Sequence, residues 1–143
     1  MSKQQIGQGP GNLVPDREFK DYLANGAIVK GELVGFYGTT GYTVDQANIT
    51  TIRAIGVAAE AAADGAWFKV QVAGHCEYLT NDGTDINAYE YLVSDASGLA
   101  VPLTTAELDP ADGTDGYEFH CIGQSLEAET GTTCTNVMLY KHI

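Results

Sequence analysis

One seven-residue pattern occurs twice in this chain, and this repetition constrains the fold more than any other feature of the sequence. Residues 55–61 read IGVAAEA, and residues 122–128 read IGQSLEA, 67 positions later. Each copy continues through a glycine-containing turn into a stretch with the composition of a β-strand. A glycine next to an apolar strand residue lets the backbone bend or approach a neighbouring strand closely. The pattern therefore predicts a structural unit of strand, turn and strand that is used twice and carries no chemistry.

Composition supports a fold built from short strands and turns. The 143 residues suit one domain, and they include 17 glycines and 8 tyrosines, while 18% are charged. Glycine favours turns, tyrosine favours strands, and globular domains usually contain about 25% charged residues. We therefore predict an all-β fold over residues 16–143, either a compact β-sandwich or a partly closed β-barrel of short strands. Within it, the related strand-turn-strand units span about residues 51–73 and 118–141.

Several segments have the residue pattern of individual strands. Residues 67–72 alternate between an apolar face and a mostly polar face. The apolar face consists of Phe68, Val70 and Val72, and the other of Trp67, Lys69 and Gln71. Residues 89–93 and 99–103 flank a polar turn and predict a hairpin. Further strands are predicted at residues 28–37, 51–57, 117–123 and 136–142, whereas residues 15–24 suit either a helix or a strand over 19–23.

The first 15 residues predict a flexible N-terminal arm. They are rich in glycine, glutamine and proline, and their apolar anchors are Ile6, Leu13 and Val14. Such a segment cannot bury enough apolar surface to fold alone, so it is either disordered or lies along a partner.

Charge is unevenly distributed along the chain. Residues 1–30 contain four basic and three acidic residues, a net charge of +1, and the rest contains three basic and sixteen acidic residues, a net charge of −13. Because an acidic body repels phosphate, we expect no binding to nucleic acid. No apolar run approaches the ~18 residues that span a bilayer, and the N-terminus lacks the apolar core of a signal peptide. We therefore expect no membrane segment and synthesis in the cytoplasm.

Two His-Cys dipeptides are candidate zinc ligands. They are His75-Cys76 and His120-Cys121, with Cys134 as a further thiol. Adjacent residues of a strand point to opposite faces, so each dipeptide offers at most one inward ligand. The odd number of cysteines and the absence of a Cys-x-x-Cys spacing also argue against a disulfide framework. We therefore expect reduced thiols in or near the core, without a metal.

The remaining chemical motifs are weak. Residues 82–85 and 112–115 both read DGTD, but neither contains the calcium-binding pattern of an EF-hand, and Asp-Gly suits a tight turn. The sequence has no phosphate-binding glycine loop with a lysine, no serine nucleophile elbow and no residue that would orient a Cys-His pair. We therefore predict a protein that is not an enzyme, with no catalytic residues and no cofactor.

Large apolar side chains at surface positions are the remaining functional candidates. Trp67 lies on the polar face of its strand, where a tryptophan suits an interface anchor or the edge of the core. The last strand has apolar groups on both faces, as in a central strand or a subunit contact. Our candidate contact residues are Ile6, Leu13, Val14, Phe19, Tyr22, Trp67, Met138 and Tyr140.

The order of motifs along the chain resembles the small capsid decoration proteins of tailed bacteriophages, which are also called cement or head-stabilising proteins. The similar segments are AIVKGELV at residues 27–34, residues 55–72, LVSDASGLAV at residues 92–101, and residues 122–139. The acidic insert at residues 104–116 and the first 15 residues depart from the family pattern.

This resemblance implies a virion protein on the outer capsid surface, made in the host cytoplasm. It would bridge subunits of the major capsid protein, often as a homotrimer on a threefold axis, and stabilise the shell against internal DNA pressure. Two alternatives stay open. One is a ligand- or carbohydrate-binding β-sandwich that would use Tyr37, Tyr42, Trp67 and Tyr78. The other is a structural protein of a tail or head fibre.

Overall fold

The computed structural model describes residues 17–48, 51–103 and 121–143, and all secondary structure in these ranges is β. The all-β prediction is confirmed. The strands are β1 (Glu18–Ala24), β2 (Leu33–Phe36), β3 (Thr43–Gln46), β4 (Gly56–Ala58), β5 (Trp67–Cys76), β6 (Leu79–Thr80), β7 (Tyr91–Ser94), β8 (Ala100–Pro102), β9 (Gly123–Ser125), β10 (Thr133–Cys134) and β11 (Val137–Leu139). In the described ranges, no helical segment has the length and hydropathy to cross a bilayer. The predicted arm, the acidic insert and most of the strand predicted at 117–123 lie outside these ranges.

The first five strands form a closed barrel. Strand β1 pairs antiparallel with β5 and parallel with β3, so the order β1-β3-β2-β4-β5 returns to β1. Of the two predicted architectures, the structure therefore shows a barrel, with further strands attached to it. The barrel interior consists of Tyr22, Ala24, Ile28, Val34, Val44, Ile55, Ala58, Phe68, Val70 and Val72.

Strand β5 continues past this barrel and begins a second, similar set of strands. Its last residues, 74–76, pair with β11, and the sheet continues through β9 and β7 to β8. A parallel bridge between Asn81 and Ala100 links the start of this second set to β8. It corresponds to the parallel pairing of β1 with β3 that closes the first barrel. We call residues 18–73 the first unit and residues 74–140 the second unit.

The two units match in their backbone hydrogen bonds. In the first, the N–H of Ala58 donates to Glu32 O at 2.9 Å, and in the second the N–H of Ser125 donates to Glu90 O at 2.9 Å. Other matched donor and acceptor pairs are Ile28–Ala62 with Ile86–Glu129, Ile55–Val34 with Ile122–Leu92, Gly31–Ala58 with Tyr89–Ser125, and Ala59–Lys69 with Leu126–Asn136. The repeated heptapeptide therefore begins the same strand, β4 or β9, in two copies of one arrangement.

The repeated glycine has the same role in both copies. A Cβ on Gly56 would collide with the carbonyl oxygen of Gln71, and a Cβ on Gly123 would collide with that of Met138. Gln71 and Met138 are themselves matched positions, because each lies opposite the residue after the glycine. The glycine is thus required where the hairpin strands approach most closely.

Several strand boundaries differ from the predictions. Residues 18–24 form a strand and not a helix, and residues 28–37 form a strand only over Leu33–Phe36, because Gly31 has a φ of 93° in a preceding turn. The strands predicted at 51–57 and 136–142 are shorter, at Gly56–Ala58 and Val137–Leu139. The predicted hairpin is confirmed as β7 and β8. Gln71, predicted on a polar face, is fully buried because the second unit covers it.

Candidate functional site

The first unit presents an exposed pair of stacked aromatic rings. Trp67 is 59% exposed, and its ring stacks on that of Tyr42 with 5.6 Å between centroids and 17° between planes. Leu23 is paired with Trp67 across β1 and β5, and its N–H donates to Tyr42 O at 2.9 Å. We call Leu23, Tyr42 and Trp67 the tryptophan face. Such a rigid, amphipathic surface suits an interface anchor.

The second unit presents a cluster of tyrosines. Tyr89 is 67% exposed and Tyr91 is 48% exposed, and the Tyr91 and Tyr140 ring centroids are 6.4 Å apart. Gln124 joins the cluster, because its Nε2 donates to Tyr89 O at 3.0 Å and its Oε1 accepts from Tyr140 Oη at 3.3 Å. Burial, followed by the charge of Tyr91, raises the pKa of Tyr140, so its hydroxyl remains a donor. We call Tyr89, Tyr91, Met138 and Tyr140 the tyrosine face.

The junction between the two units has main-chain as well as apolar contacts. The N–H of Thr80 donates to Gly31 O at 3.0 Å, and the N–H of Leu33 donates to Gly98 O at 2.8 Å. Tyr78 Oη donates to the buried side chain of Gln71 at 2.6 Å. Leu33, Ala47, Ala54 and Val57 of the first unit belong to the same buried cluster as the interior of the second. The junction is therefore a continuous core.

The candidate contact residues lie in different environments. Trp67 is on the tryptophan face, Met138 and Tyr140 are partly buried on the tyrosine face, and Phe19 is exposed on β1. Tyr22 is a correction to the candidate set: it is 6% exposed inside the first barrel, so it stabilises the fold and is not available to a partner. The arm residues Ile6, Leu13 and Val14 lie outside the described residues. Whether any of these residues contacts a partner stays a prediction.

The rings proposed for carbohydrate binding are separated. Tyr37, Tyr42 and Trp67 are exposed in the first unit, with Tyr42 and Trp67 stacked. Tyr78 is engaged elsewhere, because its hydroxyl binds Gln71 and its ring lies 5.2 Å from the Lys30 ammonium. At most the stacked pair and Tyr37 would serve such a site.

The thiols are free and mostly buried. Cys76 and Cys134 are buried, and Cys121 is partly exposed. Burial is the main cause that raises the pKa of Cys76 to about 11, and burial also raises the pKa of Cys121 and of Cys134.

Among the described residues, no three His, Cys, Asp or Glu side chains lie close enough to hold a metal ion. In the first DGTD loop, Asp82 Oδ1 accepts from the N–H of Thr84 at 2.9 Å, as in a tight turn. His120 and the second loop lie outside the described residues.

Tyr89 and Tyr91 are surface residues that the sequence does not single out. They fall in a predicted hairpin strand, where the outward direction of a side chain depends on register. A signal was present: residues 32–34 read ELV and residues 90–92 read EYL, 58 positions apart, so the repeat extends beyond the heptapeptide. A weak match of three residues does not show that the same face is buried in one copy and open in the other.

Comparison with known proteins identifies the fold. No family model and no curated protein matches the chain. The structure is similar to the crystal structure of the N base of head fiber gp8.5 in bacteriophage phi29, with a TM-score of 0.55 and 19% sequence identity. The alignment covers 89% of this chain and 100% of that one. This similarity shows a shared fold.

Proposed function

We propose that this protein is a structural component of a bacteriophage virion that binds the outer surface of the head and contacts the major capsid protein. The observation that supports this proposal is the similarity of fold to the N base of the phi29 head fiber, over 89% of this chain. The decoration-protein resemblance of residues 27–139 supports the same location independently. In this proposal the protein acts by binding and has no enzymatic activity or cofactor.

The mechanism is mechanical. Many copies, each a homotrimer, would bridge neighbouring capsid subunits, so that a modest contact energy is multiplied over the shell. A net charge of −12 would keep the free protein soluble until a shell is available. The apolar arm residues Ile6, Leu13 and Val14 would contact a neighbouring subunit through their side chains.

A second candidate is the base of a head fibre. The fold similarity to a head fiber base favours it directly, whereas the motif resemblance favours a decoration protein. Cryo-electron microscopy of intact particles separates them: a decoration protein covers the shell as compact protrusions, and a fibre base carries an elongated projection.

Binding to purified expanded heads tests the proposal. We expect the protein to co-sediment with heads at a saturable number of copies and to raise the temperature at which the heads release DNA. Replacing Ile6, Leu13 and Val14 by serine should sharply weaken binding, and the matched control with Gln4, Gln5 and Gln8 replaced by serine should bind as the wild type does. A protein that binds neither unexpanded nor expanded heads would refute the proposal. Equal binding of both arm variants would refute the role of the arm.

A further inference from the structure

The junction within the chain uses two faces, one from each unit. The face contributed by the second unit includes Tyr78, Thr80 and Gly98, whose contacts with Gly31, Leu33 and Gln71 are described above. The face contributed by the first unit consists of the outward side of β2, β4 and β5 together with adjoining loop residues. Its residues are Gly31, Leu33, Ala47, Ala54, Val57 and Gln71.

Because the chain contains two matched units, each of these faces has a counterpart elsewhere on the molecule. Thr80 of the second unit matches Leu23 of the first, because Thr80 pairs with Thr133 as Leu23 pairs with Trp67. Gly98 matches Tyr42, because each directly precedes the same position, Leu99 or Thr43, of the matched hairpins. Leu23 and Tyr42 of the tryptophan face are therefore the counterparts of Thr80 and Gly98 of the covering face. Trp67 matches Thr133, which is itself exposed, and its ring enlarges this face through its stacking on Tyr42. The tryptophan face lies on the first unit, exposed at Tyr42 and Trp67.

The covered face also has a counterpart. The hydrogen bonds and registers match Gly31 with Tyr89, Leu33 with Tyr91, Val57 with Gln124 and Gln71 with Met138. Leu33, Val57 and Gln71 are fully buried, whereas Tyr91 is exposed and Gln124 and Met138 are half-buried. The tyrosine face is thus the position at which a third unit would continue the series.

We propose that the tryptophan face of one copy of this protein docks on the tyrosine face of a second copy, head to tail, in continuation of the junction between its own two units. The two open aromatic surfaces are the two ends of a two-unit series. The tryptophan face corresponds to the covering side of the internal junction and the tyrosine face to its covered side, so the two ends are complementary. A head-to-tail contact of this kind closes into a ring or extends as a filament. A homotrimer of the kind named under the proposed function would be such a ring, but the inference does not require a capsid.

The contact between copies would differ from the internal junction in one respect. Inside the chain, Gly31 and Leu33 reach the main chain of Thr80 and Gly98. On the tryptophan face, the corresponding main-chain groups are already joined, because Leu23 N–H donates to Tyr42 O. Side chains must therefore make the contact between copies. The tyrosine face has suitable side chains, because Tyr89 and Tyr91 occupy the positions that Gly31 and Leu33 occupy in the first unit. Tyrosine and tryptophan give large contact areas for little loss of side-chain entropy.

The backbone of Tyr89 supports a binding role for this position. Tyr89 has a φ of 66°, and it is the non-glycine residue with a positive φ in the described ranges. A tyrosine in this left-handed region is strained, and strain of this kind is concentrated at functional sites. A bulky aromatic held there with its side chain mostly in solvent gains nothing from the chain's own core.

Two matched variants test the direction of the contact. Trp67→Lys disables the tryptophan face and leaves the tyrosine face intact, and Tyr91→Lys does the reverse. By analytical ultracentrifugation we expect the wild type to associate with rising concentration and each variant alone to associate roughly 30-fold more weakly, as for loss of an interface hot spot. Mixed in equal amounts, the two variants should form a dimer with one copy of each. Val29→Lys, at an exposed apolar residue on neither face, should associate as the wild type does.

Each other outcome counts against the proposal. A wild type that remains monomeric at millimolar concentration overturns it. Self-association of Tyr91→Lys alone that is as strong as that of the wild type would show tryptophan faces pairing with each other. The same result for Trp67→Lys alone would show tyrosine faces pairing with each other. Loss of association in Val29→Lys would show a nonspecific effect of charge. Thermal unfolding of all three variants checks that they are folded. Because no heads are present in these experiments, absence of the predicted self-association would not refute the proposed capsid binding.

The thiol of Cys121 gives a second readout. Cys121 matches Ala54, which is buried at the internal junction, and is itself partly exposed. We expect its reaction with a thiol reagent to slow as the wild type associates, and to slow in Trp67→Lys only at roughly 30-fold higher protein concentration. Equal concentration dependence in the two proteins would contradict the proposed location of the contact.

Discussion

Gly31 and Tyr89 occupy the same position in the two units, and both have a left-handed backbone, with φ values of 93° and 66°. The N–H of Gly31 donates to Ala58 O at 2.8 Å, and the N–H of Tyr89 donates to Ser125 O at 2.7 Å. A Cβ at Gly31 would collide with Thr80 of the second unit, whereas the side chain of Tyr89 is in solvent. The same turn geometry therefore occurs in both units. The residue at this position differs because the second unit covers Gly31, whereas Tyr89 faces solvent.

The strain at Tyr89 predicts an unusual order of stability. A left-handed backbone costs a residue with a Cβ about 1–2 kcal/mol, and glycine avoids this cost. We therefore expect Tyr89→Gly to be about 1 kcal/mol more stable than Tyr89→Ala, the reverse of the order in regular strands. Urea unfolding of the two variants, measured at a concentration where the protein is monomeric, gives the difference. An alanine variant at least as stable as the glycine variant would contradict it.

The close approach at the repeated glycine predicts that alanine is not tolerated there. In Gly56→Ala and Gly123→Ala the new methyl group meets a carbonyl oxygen of the paired strand, so the strands must separate. We expect each change to lower the free energy of unfolding by roughly 1–3 kcal/mol. Gly131→Ala is the matched control, because nothing lies within 4 Å of its Cβ position. Thermal unfolding measures all three, and a Gly123→Ala protein as stable as Gly131→Ala would be inconsistent with the hairpin geometry.

A buried carboxylate in the second unit replaces an alanine of the first. Glu129 matches Ala62, and its Oε2 accepts from the N–H groups of Thr135 at 3.0 Å and Asn136 at 3.2 Å. Removing this acceptor leaves two backbone donors without a partner, so Glu129→Ala should destabilise the protein by roughly 2 kcal/mol. Glu129→Gln, which keeps one acceptor oxygen, should recover part of the loss.

The control for this prediction is Glu127→Ala. Glu127 is exposed, and its Oε1 accepts from Asn136 Nδ2 at 2.9 Å. Its removal should cost less than about 1 kcal/mol, because water replaces an exposed hydrogen bond. Equal losses for the two alanine variants in urea unfolding would mean that the backbone donors near Glu129 are satisfied in another way.

The buried thiol of Cys76 predicts a loss of stability in alkaline solution. Burial raises its pKa from 9.0 to about 11 in the folded protein, so the thiol ionises more easily in the unfolded chain. The folded state then binds more protons between these values, and stability falls as the pH rises from 9 to 11. At about 1.4 kcal/mol for each pKa unit, the loss reaches roughly 2–3 kcal/mol.

Cys76→Ala should lose less stability than the wild type between pH 8 and 11, measured by urea unfolding under reducing conditions. Cys121→Ala, at a partly exposed thiol, serves as the control and should follow the wild type more closely. Parallel pH profiles for the wild type and Cys76→Ala would rule out this thiol as the source of the alkaline loss.

Local features of the sequence were sufficient for the all-β class, the hairpin of β7 and β8, and the apolar face of β5 at Phe68, Val70 and Val72. These predictions depend on alternation and turn residues, which act over a few neighbours in the chain. Strand ends were less predictable. Ile28 and Val29 have strand-forming side chains, but the positive φ of Gly31 interrupts the extended backbone before Leu33.

Gln71 shows most directly what only the tertiary structure decided. Its residue type and alternation place it on a polar face beside Lys69, yet it is fully buried and bonded to Tyr78, because the second unit packs on that side of the barrel. The matched Met138, an apolar residue, is half-buried because no described part of the chain covers it as fully. The heptapeptide by itself therefore determined that a unit would be repeated, since the close strand approach at its glycine is local. Which face of each unit is buried was decided by packing between units that are distant in sequence.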